Sequence, residues 1–236
     1  MDHVIAYAVA FLTSALALFS GFGLGTILTP VFLLFYDVKL AIFLVAIVHF
    51  LNNLLKFILF RKHFDFKILK RFGLMAIAGA FLGAWIQPHL ASQFLKRAIG
   101  ILLIFLALKE IIPKIQFRLP RQIDSLGGFL SGFLGGLIGN QGAIRSAFLL
   151  NYPISKETFI ATGVFIACMV DLTRIPIYWI SYSSLLARSS SFVISMILVT
   201  FAGTIAGRLL LNRFSVDVFR RIVAVWILIM GIYFIF

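Results

Sequence analysis

One cysteine, Cys168, stands in a chain of 236 residues, which excludes an internal disulfide. Carboxylates are nearly as scarce: Asp and Glu total 8 against 21 Lys and Arg, a formal net charge of +13. That shortage argues against most hydrolytic chemistry. The four histidines, His3, His49, His63 and His89, are scattered and form no HExxH pair. No GxxxxGK[ST] motif is present, so nothing in the chain reads as a nucleotide site. The first apolar run, Val4 to Phe19, lacks the basic flank and cleavage site of a secretory signal, and reads as a retained segment.

Apolar length is abundant. Hydrophobic residues make up 62% of the chain, Phe alone fills 27 positions, and only 12% of residues are charged. Several apolar runs reach the roughly 20 residues that a spanning helix needs. The composition describes an all-α polytopic membrane protein, with the lipid bilayer as its surroundings. Lys and Arg crowd the gaps between the runs, as in cytoplasmic loops. The positive charge therefore reads as a topology signal, not as a nucleic-acid surface.

The chain repeats itself. Ser20–Leu34, "SGFGLGTILTPVFLL", matches Ser131–Leu150, "SGFLGGLIGNQGAIRSAFLL". "MAIAGAFLGAW" from Met75 matches "ILVTFAGTIAGRL" from Ile197, each with a GxxxG: Gly79 with Gly83, and Gly203 with Gly207. "FLKRAIGILLIF" from Phe94 matches "VFRRIVAVWILI" from Val218. Two homologous membrane repeats, 1–112 and 124–236, are expected around a basic cytoplasmic linker, 113–123. Each repeat holds four segments: 4–35, 40–60, 66–87 and 93–112, then 124–151, 156–182, 190–211 and 216–236. The GxxxG pairs suit close helix contacts.

Charge placement discriminates between two topologies. If all eight segments cross, one face carries Arg61, Lys62, Lys67, Lys70, Arg71, Lys109, Lys114, Arg118, Arg121 and Arg188. The other carries Lys39, Lys96, Arg97, Lys156, Arg208, Arg213, Arg220 and Arg221, a split of ten to eight. If the first segment of each half enters and returns, the halves are inverted repeats and the split becomes fourteen to four. The positive-inside rule prefers the second arrangement.

A returning segment needs irregular backbone, which survives at membrane depth only where protein or water covers it. Glycine supplies the turn. Gly21, Gly23 and Gly25, with the hydroxyls of Thr26 and Thr29, mark the first break; the stretch Gly135–Gly142, with Gly139, Asn140, Gln141 and Gly142 as candidate ligand contacts, marks the second. Exposed N–H groups at the restarting helices would favour an anion. Arg145, one turn after the second break, can grip an oxyanion through its planar fork. Three cations lie within apolar segments, Lys56, Arg145 and Arg174, against one carboxylate, Asp171, and the excess favours an anionic ligand. Asp171 and Arg174 stand three apart on one helix and can pair, either as a structural pair or as a gating charge released when substrate arrives. His49, Asn52, Asn53 and Lys56 share one helix face. Asn52 and Asn53 are candidates to line the pathway; Lys56 either takes part in coupling or gating or snorkels toward Arg61. His49 can titrate near neutral pH, so a role for protons or another coupling ion stays open.

The motifs "GFGLGTILTPVFLL" with "FRKHFDFKILKRFGLMAIAGAFLGAW", and "GFLGGLIGNQGAIRSAFLL" with "AGTIAGRLL", resemble those of the TauE/SafE sulfite exporter family, also called the toluene sulfonate uptake permease family. The resemblance runs over nearly the whole chain. It implies a cell-membrane transporter of small, often sulfur-containing anions: sulfite, thiosulfate or organosulfonates. It implies no cofactor. This chain departs from the family's simpler Gly-rich run at "GNQGAIRS", with Asn140, Gln141 and Arg145. The leading expectation is a secondary transporter working by alternating access; an anion channel and a membrane-embedded enzyme are the competing readings.

Overall fold

The structure is a computed structural model that describes residues 2–20, 23–112, 123–210 and 216–236. Gly21, Arg213 and all but the last residue of the 113–123 linker lie outside the described residues. Among those described there is no strand, and ten α-helices follow in order. They are α1 (Asp2–Ser20), α2 (Leu24–Leu33), α3 (Val38–Phe60), α4 (Phe66–Ile68), α5 (Leu74–Ile86), α6 (Ser92–Ile111), α7 (Asp124–Ile138), α8 (Gly142–Leu149), α9 (Lys156–Leu210) and α10 (Val216–Ile235). A π-helical turn, Leu69–Gly73, joins α4 to α5. Among the described residues, four stretches are long and apolar enough to cross a membrane: Val38–His63, Phe66–His89, Lys156–Leu186 and Ser189–Leu209. The protein is an all-α polytopic membrane protein.

Both glycine-rich segments are broken where the sequence places its turns. Gly23, before α2, has φ 77°, and Gly139, after α7, has φ 79°. Residues with a Cβ avoid this left-handed region. The helices that restart are short. At 1.5 Å per residue, the 10 residues of α2 reach about 15 Å and the 8 of α8 about 12 Å, half or less of a hydrocarbon core of roughly 30 Å.

Contacts fix the course of α8. The Ser131 hydroxyl donates to Gln141 O, the Phe148 ring lies against Gly127, and the Tyr152 hydroxyl donates to Asp124. Successive residues of α8 therefore meet ever earlier residues of α7: the chain doubles back. At the other break, Phe32 and Phe35 at the end of α2 meet Phe192, as does Tyr7 near the start of α1.

Glycine seams hold the bundle together. Gly128, Gly132 and Gly136 of α7 press on the carbonyls of Phe72, Ala76 and Ala80, so α7 runs parallel to α5. Gly79 and Gly83 of the first GxxxG face Phe129 and Phe133 across that seam. Gly203 and Gly207 of the second press on Phe11 and Ala15, so α1 runs parallel to the second arm of α9. The first segment of each half thus lies along the third segment of the other.

α9 stays helical over 55 residues, although the sequence predicts two segments, 156–182 and 190–211. Its contacts restore the two arms. His49 of α3 meets Asp171, while Asn52, three residues on, bonds Thr200 and Thr204. In a straight helix residues 171 and 200 would stand about 44 Å apart. The helix must fold back between Lys156–Leu186 and Ser189–Leu209. Around α3, whose Ala41–Ala46 run is fully buried, these arms form the core.

Candidate functional site

The two breaks meet. A Cβ on Gly23 would lie 3.4 Å from the Gly142 Cα, and one on Gly25 would lie 3.0 Å from Gly139 O. The Thr26 hydroxyl donates to Asn140 Oδ1 across 3.0 Å, and Thr29 donates to Gly25 O at 2.8 Å. The first three of these contacts pin one break against the other; the Thr29 bond lies within α2.

Beside the junction lies a cavity of ≈ 50 Å³, room for a few waters or a small oxyanion. Its polar wall is Lys56, Arg145, His49, Asn53 and Ser146. The first turn of α2, through Gly23 and Leu24, forms one side, and Phe159, Ile160, Gly163 and Val164 of α9 form another. Lys56 is 3% exposed and Arg145 8% exposed. Lys56 therefore does not snorkel toward Arg61. Among the described residues it makes no hydrogen bond and no ion pair. Arg145 Nη1 donates to Gln141 Oε1 at 3.2 Å and has no carboxylate of its own.

The one buried carboxylate nearby is already committed. Asp171 Oδ2 lies 2.6 Å from His49 Nδ1, and Oδ1 lies 2.9 and 2.8 Å from Arg174 Nε and Nη2. Gln141 Nε2 also donates to Oδ1, at 3.3 Å, so Gln141 bridges Arg145 to Asp171. Arg174 Nη1 caps Gly135 O at 2.7 Å, and the Tyr178 hydroxyl donates to Gly136 O. Gly136 O, among the last carbonyls of α7, gains its partner in this way, while Gly135 O accepts from both Arg174 and the Gly139 N–H. Asn53 Nδ2 lies 3.1 Å from each ring nitrogen of His49.

The residues expected from sequence thus divide. Gly23, His49, Asn53, Lys56 and Arg145 line the cavity. Gly25, Thr26, Thr29, Gly139, Asn140 and Gly142 build the junction behind it. Gln141, Asp171 and Arg174 form the charged network at its base. Asn52 stands apart: its Nδ2 donates to Thr200 O and Thr204 Oγ1, tying α3 to the second arm of α9. Sequence reasoning missed Ser146 and Gly163. Gly163 carried a usable signal, as the single glycine of the 156–182 segment; a Cβ there would lie 3.5 Å from Arg145 Nε.

Residues 6–234 match the family described as "Sulfite exporter TauE/SafE". The chain belongs to that family. The match covers nearly all of the chain and both halves of the TauE/SafE pattern, so the bundle and its paired glycine breaks are read as those of a transporter. Among curated proteins and among solved structures, none matches. For this TauE/SafE member, substrate chemistry must therefore come from the cavity itself. That cavity offers two desolvated cations, a helix N-terminus and amide and hydroxyl donors, and on its wall no carboxylate.

Proposed function

We propose that the protein is a secondary transporter in the cytoplasmic membrane, moving a small sulfur-containing oxyanion by alternating access. One observation carries this reading: Lys56 and Arg145 are buried on the wall of one cavity while Asp171, the neighbouring carboxylate among the described residues, is held by His49 and Arg174. A buried cation costs about 2.5 kcal/mol or more at bilayer depth, and two of them side by side repel. An oxyanion entering between them offsets both costs. A cationic or neutral solute offsets neither.

The contacts also support inverted repeats. The α7–α8 hairpin opens where Asp124 meets Tyr152, and the α1–α2 hairpin opens where Tyr7 and Phe35 meet Phe192. Phe57 lies against Phe165, Phe43 against Tyr178 and Tyr182, and Gln87 against Tyr182. These pairings set the two mouths at opposite ends of the bundle. Two re-entrant hairpins approaching from opposite faces would each gate one side of a shared cavity. This orientation is the one that gives the fourteen-to-four distribution of loop cations, which supports reading residues 1–112 and 124–236 as inverted repeats.

His49 and Asp171 supply a candidate proton site at the same cavity. A proton taken up on the pair weakens its hold on Arg174 and changes the field at Arg145.

Flux in proteoliposomes tests the reading. Sulfite or thiosulfate uptake should saturate and show counterflow; an ohmic, non-saturating current would make the protein a channel instead. Arg145→Gln should raise the KM roughly tenfold or more, the worth of one charged hydrogen bond. His49→Gln should spare counterflow and abolish uptake driven by a proton gradient. Organosulfonates with bulky tails should compete poorly in a cavity of ≈ 50 Å³.

A further inference from the structure

A second, larger groove lies away from the anion cavity, at the mouth of the α7–α8 hairpin. It measures ≈ 840 Å³ and is lined on one side by Lys67, Lys70, Arg71, Leu74 and Met75, and on the other by Ser125 and the loop residues Tyr152, Pro153 and Ile154. Lys67, Lys70 and Arg71 are exposed, and among the described residues none of them forms an ion pair. The one carboxylate on the wall, Asp65, has its Oδ1 engaged by the backbone N–H groups of Lys67 and Ile68.

We propose that this groove binds an anionic phospholipid, its headgroup phosphate on Lys67, Lys70 and Arg71 and its acyl chains along α5. Charge and shape both select this occupant. Three unpaired cations at the end of a spanning stretch attract a phosphate at the membrane surface. Below them an apolar strip continues along α5: Leu74 is 56% exposed, Phe81 56% and Trp85 58%. Spacings of seven and eleven keep these side chains on one helix face. A free phosphate would use the cations and leave the strip unused; a phospholipid uses both. The linker is the wrong occupant, since residues 113–122 carry Lys114, Arg118 and Arg121 and no acid.

The bound lipid would bridge two parts of the fold. One wall of the groove belongs to the start of α5. The other is the loop that joins α8 to α9, tied to α7 by the Tyr152–Asp124 hydrogen bond. A lipid seated between them braces the mouth of the α7–α8 hairpin.

The test uses the full chain purified in detergent. Phosphatidylglycerol should raise its melting temperature and remain bound through washing, whereas phosphatidylcholine should do neither. Lys70→Gln with Arg71→Gln should weaken phosphatidylglycerol retention roughly tenfold or more, since each cation near such a surface contributes independently. Equal stabilisation by both lipids, or unchanged retention in the double variant, overturns the proposal. So does stabilisation by inorganic phosphate alone to the same extent. Should the double variant fail to fold, the unmutated chain decides: phosphatidylglycerol with a photoreactive acyl chain should label the segment holding Leu74, Met75 and Phe81, and labelling elsewhere refutes the site. No readout involves anion flux, so the outcome is separate from that of the transport assay.

Discussion

Asp171 is the residue on which the buried charges balance. It takes His49 on one oxygen and Arg174 on the other, with side chains that are 4% exposed or less. Such a network gains little over apolar packing but is costly to break, because the surviving charge stays buried. Asp171→Asn keeps the shape and removes the charge, leaving Arg174 unpaired. It should lower stability by about 3–5 kcal/mol, read as a fall in melting temperature. Adding Arg174→Gln should recover part of that loss, because the orphaned cation is removed with its partner. A double variant no better than Asp171→Asn would show that Arg174 has no need of the carboxylate. The sequence places Asp171 and Arg174 three apart and so brings that pair within reach. It does not show His49, 122 residues away, on the same carboxylate. Nor does it show that Lys56 is sealed into the cavity wall, because burial of a lysine near a segment end depends on what the neighbouring helices cover.

At the scale of the element, glycines serve two distinct purposes that substitution separates. Gly132 lies in the α5–α7 seam, where a Cβ would overlap the Ala76 carbonyl. Gly132→Ala must push two helices apart, an overpacking cost of about 1–3 kcal/mol. Gly139 has φ 79°, yet a Cβ there would meet Arg174 Nη1 at an ordinary 3.4 Å. Gly139→Ala therefore brings backbone strain without a clash, about 1–2 kcal/mol. The two are told apart by a compensating change. Ala76→Gly cannot relieve the Gly132 variant, whose clash is with a carbonyl, and no side-chain trimming relieves the Gly139 variant. Gly139→Asn, however, should restore part of the loss, because Asn tolerates the left-handed region better than Ala. Thermal melting of the four variants checks the pattern; equal stability of Gly139→Ala and Gly139→Asn would count against backbone strain. Both kinds of glycine were visible in the sequence as motifs. Their partners were not: the GxxxG pairs pack on the opposite half of the chain, a choice that spacing alone leaves open.

For the whole molecule the decisive question is on which face each hairpin opens. Ser125 and Ser155 flank the α7–α8 segment and both are exposed. In a Cys168→Ser background, Ser125→Cys and Ser155→Cys should react with an impermeant thiol reagent from the same side of the membrane. A plain crossing of 124–151 would put them on opposite sides. Asp37→Cys, at the start of α3, should react from the face opposite to both.

The sequence by itself determined the class of this protein, the two glycine breaks and the excess of cations among its apolar stretches. These are local quantities: hydropathy, glycine content and formal charge are carried by each stretch regardless of its neighbours. Only the tertiary structure decided that the breaks touch, that α9 folds back so that Asp171 and Thr204 reach the same part of α3, and that Lys56 and Arg145 share a cavity with no carboxylate on its wall, Asp171 beside it being held by His49 and Arg174. Those are relations between segments more than a hundred residues apart, set by which glycine seams close against which backbones. No periodicity within a single segment records that choice.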